Sequence, residues 1–262
     1  HEPRDSSATP DQPLAMKRPP VEIAPPPWGA GPVDFVKQVQ PVLDRYCTRC
    51  HSGPKPDGDL DLSGDQAQLF NMAYTNLAVP KYVAYYWNNT APTAAFKPMS
   101  SGSQVSRLRT LIEQRHGDVN VDDAGRRAIY AWIDTNVPYY GTYDNTRPGT
   151  QGSRDIWTGE WFGELTGMLK AQGRQKSGET YLNLTHPESS SVLVDHLPKD
   201  AGGRGIAPTF TGPDDPQYKA ILAAIRRGQK DLSDKPRINM PGGKAVAYPT
   251  DFGKLCTGFA GP

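Results

Sequence analysis

The amino-acid sequence predicts a mainly α-helical protein with a long, loop-rich C-terminal extension. Four stretches place apolar residues at the spacing of one helix face. Gly and Pro each occur 26 times among 262 residues, a share that favours loops and short helices between turns. No apolar run reaches the length of about 18 residues that a membrane-spanning helix requires, so no membrane span is expected.

The first predicted helix covers residues 34–46. Asp34 can accept hydrogen bonds from the free N–H groups at its start, and Phe35, Val39 and Leu43 fall near one face. Pro41 lies inside this run and predicts a kink or a break into two short pieces.

Three further helices are predicted over residues 103–114, 122–135 and about 216–228. Ser103 is expected to cap the first of them, and Trp132 lies on the apolar stripe of the second. The chain therefore divides into a Pro-rich linker over residues 1–33, a small helical domain over 34–145 and a loop-rich extension over 146–262 with one helix near 216–228.

A short motif with chemical meaning follows the first helix directly: Cys47-Thr48-Arg49-Cys50-His51. Cys-X-X-Cys-His is the attachment signal of c-type haem, in which two thiols add to the haem vinyl groups and the adjacent histidine binds the iron. The sequence thus predicts one haem c, held by Cys47 and Cys50, with His51 as the proximal ligand.

Two other sites could use the same residues. A structural zinc site requires four ligands, normally with a second Cys/His pair, and a redox dithiol accompanies a βαβ pattern; neither is evident. The third cysteine, Cys256, lies far from the motif, so the three cysteines do not form a disulfide framework.

The second axial ligand of the iron has two candidates. His116 stands in the loop before the last helix of the small domain, while Met99 is the alternative, since imidazole and thioether groups both bind haem iron. A surface histidine at a helix C-terminus and a loop methionine used for packing are the plain alternatives. His186 and His196 are expected to serve structure.

Neither the charge nor the remaining motifs favour nucleic-acid binding or a calcium site. The net charge of +1 gives no strong field for nucleic acid. The aspartates of residues 59–65 resemble the front of a calcium loop, but Phe70 occupies the twelfth position, where a glutamate is needed.

The motif and its surroundings resemble planctomycete-type multihaem cytochromes c, and in particular the haem-bearing middle domain of hydrazine synthase alpha-subunit-like proteins. The resemblance covers most of residues 18–242. It is carried by residues 39–51, 61–64, 116–119, 132–143, 182–190 and 214–225.

This resemblance implies a cytochrome c-like helical domain with c-type haem, in a periplasmic or extracellular location. Two departures matter. His1-Glu2-Pro3-Arg4 looks like the end of an earlier haem motif, which would make the chain a fragment of a longer multihaem protein. Lys55 stands four residues after His51, where the enzyme branch places a tyrosine that binds iron.

The leading hypothesis is therefore an electron-transfer cytochrome rather than a catalyst, with redox proteins, other haem domains or further copies of the chain as partners. The alternatives are a haem redox enzyme related to the hydrazine synthase alpha subunit and a structural haem-bearing component of an extracellular assembly. The enzyme requires an open iron position with an acid or base beside it.

Overall fold

A computed structural model describes residues 14–20, 22, 25–86, 99–144, 146–147, 159–173 and 182–246. Across these ranges the regular structure is helical, and the only β-type pairing is an isolated bridge between Gln66 and Asn71. The predicted mainly helical class is confirmed. No helix in the described ranges is long and apolar enough to cross a membrane.

The α-helices fall into two groups along the chain. The first group is α1 (Gln40–Tyr46), α2 (Met72–Leu77), α3 (Arg107–Glu113) and α4 (Asp123–Asp134), and the second is α5 (Glu160–Ala171), α6 (Ser191–Val194) and α7 (Pro216–Asp234). A π-helical turn, Phe35–Val39, precedes α1. Single 3-10 turns lie at Leu14–Lys17, Asp57–Asp59, Ser103–Val105, His116–Asp118 and Pro187–Ser189.

The predicted helix over residues 34–46 is present as two pieces, the π-helical turn and α1. Asp34 caps the start, because its carboxylate accepts a hydrogen bond of 3.1 Å from the Lys37 amide. Pro41 lies in the first turn of α1, where its missing N–H has no helical acceptor to lose.

The second predicted helix needs correction. Ser103 does not cap α3: its hydroxyl donates to Asp134 at 2.9 Å, and α3 begins four residues later, after Ser106. The third prediction holds, since α4 runs from Asp123 to Asp134 and Asp122 accepts a 2.7 Å bond from the Gly125 amide. Helix α2 lies between the first two predicted helices, in a region where the sequence predicts no helix.

The first group of helices closes over an aromatic core. Trp132 of α4 is fully buried and lies 5.0 Å from the Phe35 ring, centroid to centroid. Its indole N–H donates to the Pro138 carbonyl at 3.1 Å. The other buried members of this core are Val39, Leu43, Leu62, Ala73, Leu77, Val83, Leu108, Ile129, Ile133, Val137 and Tyr139.

The C-terminal part contains more structure than the sequence predicted. Instead of one helix, it has α5 packed against a 19-residue α7. Trp161, Leu165 and Leu169 of α5 are buried at intervals of four, a spacing that indicates a helix although the surrounding residues are polar. We call residues 159–173 and 182–246 the C-terminal unit, because they share a second hydrophobic core.

Close packing of α5 on α7 depends on Gly228. A Cβ atom added there would meet the Trp161 ring at 2.7 Å, which real side chains do not tolerate. We expect Gly228→Ala to lower the free energy of unfolding by about 1–3 kcal/mol, measured by urea denaturation.

Gly167 of α5 supplies the matched control, since a Cβ added there meets no atom within 4 Å. Gly167→Ala should leave stability unchanged or raise it by up to about 1 kcal/mol, because alanine is the better helix former. Equal effects of the two substitutions would contradict the packing of Trp161 on α7.

One contact between the two cores involves an ionisable pair. The imidazole Nδ1 of His186 lies 2.7 Å from a carboxylate oxygen of Asp65, and this hydrogen bond raises the pKa of His186. A histidine whose pKa is higher in the folded chain than in the unfolded chain, where it is about 6.5, stabilises the fold below that pH. This stabilisation is lost as the pH rises through the pKa of the folded chain.

Substitution of His186 by glutamine should therefore lower the free energy of unfolding more at about pH 5.5 than at about pH 8.5. The difference should stay below about 1 kcal/mol because the imidazole is largely exposed. Urea denaturation at both pH values measures it, and a pH-independent cost would rule out the ion pair.

Candidate functional site

The residues of the Cys-X-X-Cys-His motif lie in the turns that follow α1. The Cys47 amide donates to the Leu43 carbonyl at 2.7 Å, and the Cys50 and His51 amides both donate to the Cys47 carbonyl, at 3.2 and 3.0 Å. This continuous turning of the chain brings the three functional side chains to the wall of the same cavity.

The cavity has a volume of about 520 Å³, within the range of about 300–1,000 Å³ that is usual for cofactor sites. Most of the surface of its wall is apolar, which disfavours bulk water inside. The aliphatic residues come from α2, α3 and the two loops beside them: Leu60, Leu62, Leu77, Leu108, Leu111, Ile112, Val119 and Val121.

The tautomer of His51 follows from its hydrogen bond. Its Nδ1 atom lies 3.0 Å from the Asp57 carbonyl oxygen, and because a carbonyl can only accept, Nδ1 carries the hydrogen. The other ring nitrogen, Nε2, therefore keeps a free electron pair when the ring is neutral. An imidazole that donates through one nitrogen to a backbone carbonyl and offers the other is the usual form of a metal ligand.

His116 lines the same cavity, in the 3-10 turn between α3 and α4. The His51 and His116 ring centroids are 6.1 Å apart, with 26° between the ring planes. Two metal–imidazole bonds of about 2 Å, with each centroid about 1 Å behind its nitrogen, require a separation of about 6 Å. The separation of the two rings is therefore one at which His51 and His116 could each offer a nitrogen to one metal ion.

The other sequence candidates lie elsewhere. Met99 is 66% exposed and is not part of the cavity wall. His186 bonds to Asp65, and His196 Nδ1 lies 2.7 Å from the Ala207 carbonyl. Cys256 and the segment His1-Glu2-Pro3-Arg4 lie outside the described residues.

The Cys47 thiol is half-buried, and burial raises its pKa to about 11. A redox dithiol requires the opposite, a lowered pKa that makes the thiolate available near neutral pH. Within the described residues, no three Cys, His, Asp or Glu side chains converge as a metal site would need. The raised pKa of the Cys47 thiol disfavours the redox-dithiol alternative.

Positive charge surrounds the cavity. Arg49, Lys81 and Arg107 belong to its wall, whereas Asp57 is the single carboxylate there among the residues described. Sequence reasoning did not find Lys81 and Arg107, which lie 30 or more residues beyond the motif and carry no local signal. A ligand with two carboxylates suits this balance of charge.

Leu108, Leu111 and Ile112 lie at helical spacing within the helix predicted over residues 103–114, and all three line the cavity. Lys55, the residue that departs from the enzyme branch, is exposed and does not line it. Comparison of the chain with family models, with curated proteins and with solved structures found no match.

Proposed function

We propose that this chain is a c-type cytochrome, or a cytochrome domain of a longer protein, which carries one covalent haem and transfers electrons. One observation carries the proposal. Cys47, Cys50 and His51 share an apolar cavity of cofactor size with His116, whose ring lies 6.1 Å from that of His51.

The chain's own residues would hold the haem through two kinds of bond. The Cys47 and Cys50 thiols would each add across a vinyl group, forming a carbon–sulfur bond while the thiol hydrogen moves to the neighbouring carbon. His51 and His116 would bind the iron through nitrogen.

The aliphatic wall would exclude water, and Lys81 and Arg107 are suited to pair with the two propionates. Bound haem supplies one-electron oxidation and reduction. If His51 and His116 both bind the iron, no position would be open to a substrate, which would favour electron transfer over catalysis.

The resemblance to multihaem cytochromes c supports a periplasmic or extracellular location, with redox proteins or other haem domains as partners. A haem enzyme and a structural haem-bearing component are the alternatives. Carbon monoxide distinguishes the enzyme, since an open iron position binds it readily. Size-exclusion chromatography addresses the structural component, because a clean monomer counts against self-assembly.

The direct test is production of the chain in the periplasm of a bacterium that matures c-type cytochromes. We expect a haem spectrum that persists after denaturation and extraction with acidified organic solvent, because thioether bonds survive both. The matched control is the double variant Cys47→Ala, Cys50→Ala, which should retain no haem after extraction. Haem that is absent from the unaltered chain, or extractable from it, would refute the proposal.

A further inference from the structure

The turn that orients His51 lies between the cavity and the C-terminal unit. On one side, Asp57, Gly58, Leu60 and Leu62 form part of the cavity wall. On the other side, the same stretch of chain receives polar contacts from the C-terminal unit, beginning at Asp59. The C-terminal unit therefore contacts the segment that holds the proximal histidine.

Among these contacts, the one from Arg204 is made at the position nearest to His51 in sequence. Its guanidinium donates to the Asp59 carboxylate at 3.0 Å and is itself held by Asp195. Asp59 has a φ of 54°, in the left-handed region that costs an ordinary residue free energy. An ion pair to this residue stabilises a backbone conformation that the turn alone would not favour.

The conformation of this turn sets the hydrogen bond of His51. The Asp59 amide donates to the Pro56 carbonyl at 3.0 Å, and the Leu60 amide donates to the Asp57 carbonyl at 3.3 Å. That same Asp57 carbonyl accepts the Nδ1–H of His51. Asp59 and the His51 imidazole are thus connected through the hydrogen-bonded peptide groups of one turn.

Further contacts hold the rest of the segment. Asp65 accepts hydrogen bonds from Asn183 and His186, both at 2.7 Å. The Leu184 amide donates to the Gln66 carbonyl at 2.7 Å. The C-terminal unit therefore contacts residues 59–66 at both ends. Arg204 makes the contact at Asp59, the end beside the cavity.

We propose that the C-terminal unit positions the proximal ligand, and that Arg204 is the positioning residue, acting on His51 through Asp59 and the Asp57 carbonyl. The inference rests on the proposed haem. Its physical consequence is a lower midpoint potential, because a well-aligned Nδ1–H bond makes the imidazole a stronger donor and favours ferric iron.

The test uses the haem-loaded chain with Arg204→Gln, Asp59→Asn and the double variant. Asparagine keeps the tolerance for left-handed backbone, so Asp59→Asn isolates the loss of charge. We expect both single variants to raise the midpoint potential. The double variant should raise it no further than the larger single effect, since both act through one contact.

The direction in which the midpoint potential changes distinguishes a positioning effect from a direct electrostatic effect of the lost charge. Loss of a positive charge near the iron lowers the potential, and loss of a negative charge raises it. A direct electrostatic effect would therefore move the two single variants in opposite directions. A lowered potential in Arg204→Gln would overturn the inference.

Hydrogen exchange provides a second measurement. The Asp59 and Leu60 amides should exchange about threefold faster in both single variants, as expected for loss of a partly exposed ion pair. Arg227→Gln is the matched control, because Arg227 pairs with Glu164 inside the C-terminal unit; it should change neither quantity.

The two proposals fail differently. If the unaltered chain takes up no covalent haem, the proposed function fails, whereas hydrogen exchange still reports whether Arg204 fixes the turn. If haem is bound but neither potential nor exchange responds to Arg204→Gln and Asp59→Asn, only the positioning role is refuted.

Discussion

Substitution of His116 by alanine in the haem-loaded chain is expected to convert a low-spin spectrum into a high-spin one. His51 would then be the one histidine left to bind the iron, because His116 is the only other histidine that the described part of the chain places in the cavity wall. Absorption spectra of the ferric and ferrous protein measure the change.

Carbon monoxide binding should change with it. In the unaltered chain, the apparent affinity for carbon monoxide is reduced to the fraction of iron that His116 leaves open. If that fraction is about 1%, His116→Ala should raise the affinity about 100-fold. An unaltered chain that already binds carbon monoxide tightly would point to the enzyme instead of the electron carrier.

Met99→Leu is the matched control for this substitution. Met99 was the alternative ligand, but its side chain is exposed and away from the cavity wall. We expect its spectrum and carbon monoxide affinity to equal those of the unaltered chain. Loss of the low-spin spectrum in Met99→Leu, with none in His116→Ala, would reverse the assignment.

The second large effect is expected at Arg237, whose side chain is only 1% exposed. Its guanidinium donates to the backbone carbonyls of Ala67, Gln68 and Phe70, at 2.5, 2.6 and 2.9 Å. Burial without a facing carboxylate lowers the pKa of Arg237, so these carbonyls are its main compensation.

Arg237→Met retains much of the side-chain volume but leaves the three carbonyls without this donor. The Phe70 carbonyl still accepts the Ala67 amide at 2.7 Å, so the Ala67 and Gln68 carbonyls are the two that lose their donor. Each buried acceptor without a partner costs about 1–3 kcal/mol, so we expect the free energy of unfolding to fall by at least about 2 kcal/mol. Urea denaturation gives the value. Arg226→Met, at an exposed arginine paired with Glu188, should cost less than about 1 kcal/mol.

A cost below about 1 kcal/mol for Arg237→Met would mean that water or other groups replace the guanidinium. It would also weaken the view that the C-terminal unit fixes residues 57–70. The substitution is therefore informative about the fold as well as about stability.

Local patterns in the sequence determined much of the first part of the chain. Asp122 and the apolar stripe of α4 define that helix, because a cap and its first turn are neighbours in sequence. The Cys-X-X-Cys-His spacing likewise fixes three side chains on consecutive turns after α1. These features depend on residues at most a few positions apart.

Other features depend on contacts between distant residues. The apolar spacing of Trp161, Leu165 and Leu169 could have revealed α5, but only the tertiary structure shows that Gly228 admits the Trp161 ring. Arg237 reaches backbone groups about 170 positions earlier, and no local pattern signals such a bond. The prediction that Ser103 caps a helix is wrong for the same reason, since the partner of its hydroxyl is Asp134.

The sequence by itself determined the mainly helical class, the position of the Cys47–Cys50–His51 motif and the loop that contains His116. Only the tertiary structure decided that the His116 ring faces the same cavity as His51 and that Met99 does not. It also decided that the C-terminal unit holds the turn beside His51. The reason is physical: a cavity and its supports arise from packing between segments far apart in sequence, whereas capping and motif spacing act within a few residues.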